Sequence, residues 1–262
     1  MDIIIRNHTK ADIFTTIFQH MKNFTDHINI MFERDRLYIQ SMDSARVSIF
    51  ELDIPAKWFD EYKLTGNTNA NIGVSSTLLY KILNARDKTH TVHLFTSDDK
   101  LSVNFTSVDK STFDKKFEIP LIDLDSELLE VPSIDYQAEF SISSAHFANI
   151  IGQLKIFGDT MEMKCTEDMV VLYANSQENG KMCVEIKIDE LTASAIEEGE
   201  ELVSSFSIQY LQNICLYNKL AKEVDVLFSR DYPLKIMYFL GDKESADLGK
   251  ITFYLAPKIE NE

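Results

Sequence analysis

Displacing the sequence along itself by 133 residues brings three separate stretches into one register without a gap. Phe14–Lys22, FTTIFQHMK, falls on Phe147–Lys155, FANIIGQLK, because 147 − 14 = 133. At the same offset Asp35–Ile39, DRLYI, falls on Asp168–Leu172, DMVVL (168 − 35 = 133). Leu94–Phe105, LFTSDDKLSVNF, likewise falls on Leu227–Tyr238, LFSRDYPLKIMY (227 − 94 = 133). One match between apolar runs means little, since such runs constrain residue identity loosely; three in a single register point to a duplicated unit. The chain therefore reads as two tandem domains of similar fold, and 262 residues give each copy enough material for its own core.

Within each copy the apolar pattern changes period. Lys10–Lys22 places Ile13, Phe14, Ile17, Phe18 and Met21 at helical spacing. Ser75–Arg86 opens with serines suited to an N-cap and continues with Leu78, Leu79, Ile82 and Leu83 as an apolar stripe. Ser144–Ile156 and Ser207–Lys219 are the second-copy counterparts. Elsewhere the period is two: Leu101, Val103 and Phe105 alternate with Ser102 and Asn104, and the Asp98–Asp99 pair marks a hairpin before them. Runs of strands with two helices per copy predict an α+β fold, an antiparallel sheet with helices packed on one face.

The two copies are joined by Pro120–Tyr136, PLIDLDSELLEVPSIDY. Five carboxylates (Asp123, Asp125, Glu127, Glu130 and Asp135) alternate there with Leu121, Ile122, Leu124, Leu128, Leu129 and Val131. A solvated linker has no use for so many aliphatics, and a core strand does not tolerate so many acids. The expected compromise is an extended segment lying on a surface with its leucines tucked underneath. The predicted boundaries are 1–119 for the first domain, 120–137 for the linker and 138–262 for the second domain.

Net charge is −16 at pH 7, which alone argues for a surface that repels nucleic acid and acidic membranes. The distribution reverses that inference. The four helix windows carry Lys10, Lys22, Lys81, Arg86, Lys155 and Lys219 against one acid, Asp12. That is +5 within the helices and −16 − 5 = −21 elsewhere. Acid-poor helices on an acidic body offer one face to a polyanion, with Thr15, Thr16, Asn149, Gln153, Gln209 and Gln212 as neutral groups that reach phosphate without reading bases.

No enzyme chemistry emerges. The sequence has no phosphate-cradling glycine loop and no G-x-S-x-G elbow. Asp123 and Asp125 would share one side of an extended chain, yet no third ligand is near in sequence, and His90 and His93 fall on opposite faces of a strand. Glu197–Glu201 reads as a solvated loop. Three cysteines without ligand spacing fit a reducing compartment. The first residues, MDIIIRNHTK, are charged too early for a signal peptide, and no apolar run approaches the length of a membrane span. Neither a cofactor nor a metal is expected.

Ser41–Leu52 (SMDSARVSIFEL), Leu121–Pro132 (LIDLDSELLEVP) and Phe253–Glu262 (FYLAPKIENE) resemble the proliferating cell nuclear antigen family, the eukaryotic-type DNA sliding clamps, of which this would be a divergent member. The resemblance extends over nearly the whole chain. It implies a ring of three chains with sheets outside and helices lining the hole. The ring would slide on duplex DNA and tether DNA polymerase, the clamp loader and other replication and repair proteins, in the nucleus or at an intracellular viral replication site. The helix cations named above would face the DNA. Client peptides would insert an aliphatic side chain and two aromatics into a pocket matched here by Met42, Arg46, Val47, Leu129, Val131, Tyr136, Pro233, Tyr254, Ala256 and Pro257. Without the family, these residues also suit ordinary domain-junction packing.

Subunit contacts, by the same resemblance, would pair the strand around Ser111–Ile119 with that around Lys181–Ile188 of the next chain, through Phe117, Ile119, Leu154, Phe157, Lys181 and Cys183. Several positions depart from the family pattern: Arg46 replaces a frequent histidine, Thr15 and Thr16 replace lysines, and Asn149 and Gly152 replace arginines. Glu167 stands where the family has its ubiquitin-accepting lysine, with Lys164 close by. Two other readings remain at this stage. One is a clamp-like processivity factor or checkpoint-clamp subunit that forms no homotrimer; the other is a metal-dependent nuclease using the linker carboxylates.

Overall fold

The computed structural model describes residues 1–64, 69–97, 99–107, 112–124, 128–241, 243, 245 and 247–258. Its chain divides into two compact units. The first comprises Met1–Ser44, Phe50–Leu129 and Leu240–Ile251; the second comprises Ala45–Ile49, Glu130–Phe239 and the chain from Thr252 onward.

In chain order the first half contributes β1 (Asp2–Ile5), α1 (His8–Met21), β2 (His27–Phe32), β3 (Arg36–Met42), β4 (Ser48–Pro55), β5 (Glu61–Lys63), β6 (Ala70–Ser75), α2 (Ser76–Leu83), β7 (Thr91–Ser97), β8 (Lys100–Thr106) and β9 (Lys115–Pro120). These strands lie in the orders β5-β1-β7-β8-β9 and β4-β3-β2-β6. The second half contributes β10 (Ala138–Ser143), α3 (Ser144–Leu154), β11 (Thr160–Cys165), β12 (Met169–Ser176), β13 (Gly180–Lys187), β14 (Ala193–Ile196), β15 (Leu202–Ser207), α4 (Ile208–Cys215), β16 (Glu223–Phe228), β17 (Leu234–Phe239) and β18 (Lys250–Leu255). Their orders are β14-β10-β16-β17-β18 and β13-β12-β11-β15. Each second-half order is the first-half order repeated strand for strand. The starts of β2 and β11 differ by 160 − 27 = 133, as do those of β3 and β12 (169 − 36 = 133). The duplication read from the sequence is thus a duplication of topology, and the described pairings are antiparallel.

Local sequence explains the helices. Asn7 caps α1 by accepting from the Lys10 amide at 3.1 Å, and Ser75 and Ser143 cap α2 and α3 in the same way. The buried stripe of α1 is Ala11, Phe14, Ile17, Phe18 and Met21, with Phe14 edge-on to Phe18 and Phe59 and tilted against Trp58. In the second unit Phe147, Ile151 and Leu154 play that part on α3, while Tyr217 packs on Phe253 and Tyr238. The largest departures from the expected helix bounds are at two C-terminal ends. The second helix stops at Leu83, before Arg86, and α4 gives way after Cys215 to a 3-10 turn over Leu216–Lys219, where the Asn218 side-chain Nδ2 donates to the Cys215 carbonyl.

All three cysteines are free; burial pushes the Cys165 and Cys215 thiols up to about 12, and Cys183 is exposed on β13. His90 is wholly buried: its Nδ1 accepts the Asp87 amide and its Nε2 donates to the Phe113 carbonyl. His93 instead meets Asp2 at 3.0 Å. Among the described residues no three His, Cys, Asp or Glu side chains gather as a metal site, and no helix is long and apolar enough to cross a membrane. Asp98, and Asp125 and Glu127 of the linker, lie outside the described residues.

The linker departs from expectation at one end only. Its start lies on β6: the Ile122 amide donates to the Gly73 carbonyl at 2.8 Å, and Leu121 donates to Asp99 at 3.1 Å. Ile122 and Leu124 are half-buried there. Leu128 and Leu129, however, are 51% and 42% exposed, so the paired leucines are not tucked under. Gly73 makes the close approach possible, since a Cβ would collide with the Ile122 carbonyl and sit 2.8 Å from Leu124 Cγ. Gly73→Ala should therefore destabilise the fold by about 2 kcal/mol, the usual scale for overpacking. Gly152→Ala, on α3 with nothing within 4 Å of its new methyl, should be neutral or mildly stabilising. Denaturant midpoints of the two variants check the contrast.

Candidate functional site

The six cations assigned to the helices fall into two groups. Lys10 donates to the Trp58 carbonyl at 2.7 Å, pairs with Asp247 at 3.0 Å and lies over the Trp58 ring. Lys155 pairs with Asp159, four residues on. Arg86 is the clearest correction: its side chain is 4% exposed and ion-paired with Asp12, with Nε buried and unpartnered, so it offers no free charge. The pairings act in both directions. Lys155 holds the Asp159 carboxyl below its usual range, and Ser245 followed by Lys10 does the same for Asp247.

Lys22, Lys81 and Lys219 take part in no ion pair among the described residues. Lys81 and Lys219 are exposed; Lys22 caps α1 with its ammonium over the Tyr80 ring at 4.4 Å. Thr15 and Thr16 turn their hydroxyls back onto the Ala11 and Asp12 carbonyls, so they do not reach outward as expected of phosphate-facing groups. Asn149, Gln153 and Gln209 remain exposed, and Gln212 is half-buried.

Among the strands that end their sheets are the two expected at the subunit contact. In the first unit β9 is terminal, with Phe117 half-buried against Phe105 at 5.6 Å between ring centroids. In the second unit β13 is terminal, with Lys181 and Cys183 exposed. Ile119 (1% exposed) and Leu154 (0%) are sealed inside their own units and present no surface. At the end of α3 the available apolar groups are Ile156, 63% exposed, and the half-buried Phe157.

The pocket residues divide between the units. In the first, Met42 closes β3 and lines a hollow of about 350 Å³ with Lys22, Phe24, His27 and Ser44. Leu129 is held there by Gln40, whose Nε2 donates to the Leu129 carbonyl at 2.9 Å and whose Oε1 accepts the Leu129 amide at 2.7 Å. In the second unit the Ala256 amide donates to the Val47 carbonyl at 2.9 Å, and Arg46, exposed, takes a left-handed φ of 58°. Lys235 places its ammonium 5.7 Å from the ring centroids of both Tyr136 and Tyr254. Burial first, then Glu139, raises the Tyr136 phenol above its ordinary value. Val131 and Pro257 are half-buried and Pro233 is exposed. Lys164 pairs with Glu201 at 2.7 Å and Glu167 accepts the Gly199 amide at 3.3 Å.

Two residues here escaped the sequence reading. Gln40 stands two before Met42 on the same strand, and Lys235 two after Pro233, so period-two spacing from a pocket residue was the available signal.

Family models settle the kinship. The model for the N-terminal domain of proliferating cell nuclear antigen matches residues 5–128, and that for the C-terminal domain matches residues 130–258. The chain belongs to the proliferating cell nuclear antigen family. Among solved structures, the PCNA2–PCNA3 complex from Sulfolobus tokodaii matches with a TM-score of 0.84 at 24% identity, covering 98% of this chain and 99% of that one. That likeness shows the fold: two tandem proliferating-cell-nuclear-antigen domains of antiparallel sheet and four helices, the sliding-clamp architecture.

Proposed function

We propose that this chain is a non-enzymatic sliding-clamp subunit that encircles duplex DNA and tethers DNA polymerase and other replication and repair proteins. The observation that carries the reading is the pair of family domains in tandem, together with the neutralisation of the single helix carboxylate. Asp12, the one acid of the helix windows, is ion-paired with Arg86, while the body remains strongly acidic. A face from which acids are removed admits a polyanion that the remaining surface repels.

With Lys10, Arg86 and Lys155 tied to carboxylates, about three free cations remain, and each phosphate contact adds only one salt-dependent increment to affinity. Linear duplex is then bound weakly and without sequence preference, and retention comes from ring topology. Changing Lys22, Lys81 and Lys219 together to alanine should lower polymerase processivity on a primed circle at least several-fold at moderate salt, while Arg86→Ala should act mainly on stability. Unchanged processivity in the triple variant would contradict the helix face as the DNA face.

The ring closes head to tail, β9 of one chain pairing with β13 of the next, a contact that also removes two exposed strand edges. A homotrimer has a mass of three times 30.1 kDa in solution. Phe117→Ala should give monomers at micromolar concentration, and a variant still trimeric by light scattering would place the contact elsewhere. One observation favours a second reading, a ring shared with a different clamp chain. The matching structure from Sulfolobus tokodaii is a complex of two different clamp proteins. In addition, both edges carry lysine in excess, Lys115 and Lys116 against Glu118 on β9 and Lys181 and Lys187 against Glu185 on β13. A wild-type chain that is monomeric alone supports this mixed ring.

Clients dock through a short peptide with one aliphatic and two aromatic anchors, which engages Leu129 and Val131 of the linker. Each well-buried anchor contributes roughly 1.5–3 kcal/mol before ordering costs. Leu129→Ala combined with Val131→Ala should abolish binding of such a peptide by calorimetry and leave the oligomer and its Tm nearly unchanged.

A further inference from the structure

We infer that Gln40 is a positioning residue that holds the linker backbone in place at Leu129, presenting the Leu129 side chain to a client peptide; this rests on the client reading given above. Gln40 lies on β3 and spends its whole amide on its neighbours. Nε2 donates to the Leu129 carbonyl at 2.9 Å and to Glu51 Oε1 on β4 at 3.1 Å, while Oε1 accepts the Leu129 amide at 2.7 Å. Both backbone groups of a single linker residue are thus paired with one side chain, the pattern that two residues facing each other across an antiparallel ladder exchange. The side chain substitutes for a strand.

The orientation of the amide is dictated, not arbitrary. Glu51 is an acceptor only, and its Oε1 also receives the Tyr38 hydroxyl at 2.9 Å, so the nitrogen end of Gln40 must face it. That leaves the oxygen end toward the Leu129 amide and the second Nε2 hydrogen toward the Leu129 carbonyl. No other side chain at this site supplies a donor and an acceptor at that spacing: glutamate lacks the donor and asparagine is one methylene short. The consequence lies in the exposure pattern. Leu128, Leu129 and Glu130 are all exposed and have little burial to order them, yet the Leu129 backbone is fixed by two short bonds. With Gly73 and Ile122 fixing the linker upstream, the segment is pinned at two points, and a client meets Leu129 already ordered. Ordering one backbone residue in advance is worth up to about tenfold in affinity.

The test compares full-length wild type, Gln40→Ala and Glu51→Ala in two measurements. Amide hydrogen exchange at Leu129 reads the clamp directly. Calorimetric titration with a synthetic peptide bearing an aliphatic residue followed by two aromatics reads its use. Gln40→Ala should speed Leu129 exchange at least tenfold and weaken the peptide about five- to tenfold, with an unchanged Tm. Glu51→Ala removes the bond between β3 and β4 but leaves both bonds to Leu129 available, and it should shift both readouts clearly less. Equal behaviour of the two variants would mean that Gln40 serves only the strand pair, and would overturn the inference. So would an unchanged exchange rate or unchanged affinity in Gln40→Ala. A wild-type chain that binds no such peptide would sink the client reading instead, and the Leu129 exchange rate would still decide whether Gln40 holds the linker.

Discussion

Open sheet edges are the constraint on which the rest of this structure depends. A terminal strand leaves a row of backbone donors and acceptors that water or another chain must satisfy. Here the segment that follows each half's last strand supplies part of the cover. After β9 the chain turns so that Ile122 donates to the Gly73 carbonyl on β6; after β18 it turns so that Lys258 donates to the Ser205 carbonyl on β15. Gly73 and Ser205 are the fourth residues of equivalent strands, 205 − 73 = 132 and 202 − 70 = 132. The linker and the tail are therefore the same structural solution used twice, once in each copy. The linker's acids and aliphatics follow from this double duty: the aliphatics near Ile122 are half-buried on the sheet edge, and the described acids Asp123, Glu130 and Asp135 stay in solvent.

Much of this was legible in the sequence because repetition survives where individual identities do not. The offset of 133 found Phe14 with Phe147 and Leu94 with Leu227, and these belong to matching elements, α1 with α3 and β7 with β16. Period-two and period-3.6 patterns placed the helices to within a few residues. What could not be read was partnership. Charge counting put Arg86 among the outward cations, because a one-dimensional sum records sign and not who lies beside whom. Its guanidinium meets Asp12, 74 residues away, and is almost wholly enclosed. The same blindness affected the hydroxyls of Thr15 and Thr16, which return to their own helix, and Leu154, which the core absorbs completely. Leu128 and Leu129 of the linker were misplaced for a related reason. Hydrophobicity alone predicts burial, but at Leu129 the backbone is held by a polar side chain 89 residues away, and no apolar cover is required.

The electrostatics form a single design. Free cations on the helices are few, and the acids that neutralise the others come from neighbouring segments, Asp247 for Lys10 and Asp159 for Lys155. On the proposed function, a strongly basic helix face would grip phosphate tightly and resist translocation, since each added contact multiplies affinity. A face that is merely freed of acid removes the repulsion without adding grip. Thr15 and Thr16 fit that arrangement: their hydroxyls return to the helix backbone and they contribute no charge.

Divergence to 24% identity with the fold retained also has a physical explanation. Strand order and the buried stripes of four helices are fixed by cores in which a single mismatched methylene is felt. Exposed groups such as Arg46 and Glu167 are under no such packing constraint. The exceptions are positions that hold the linker backbone. Gly73 cannot acquire a side chain without pushing Ile122 off β6, and Gln40 cannot lose its amide without releasing both polar groups of Leu129. The constraint on the linker is thus carried by the two residues it lies against, more than by the linker's own composition.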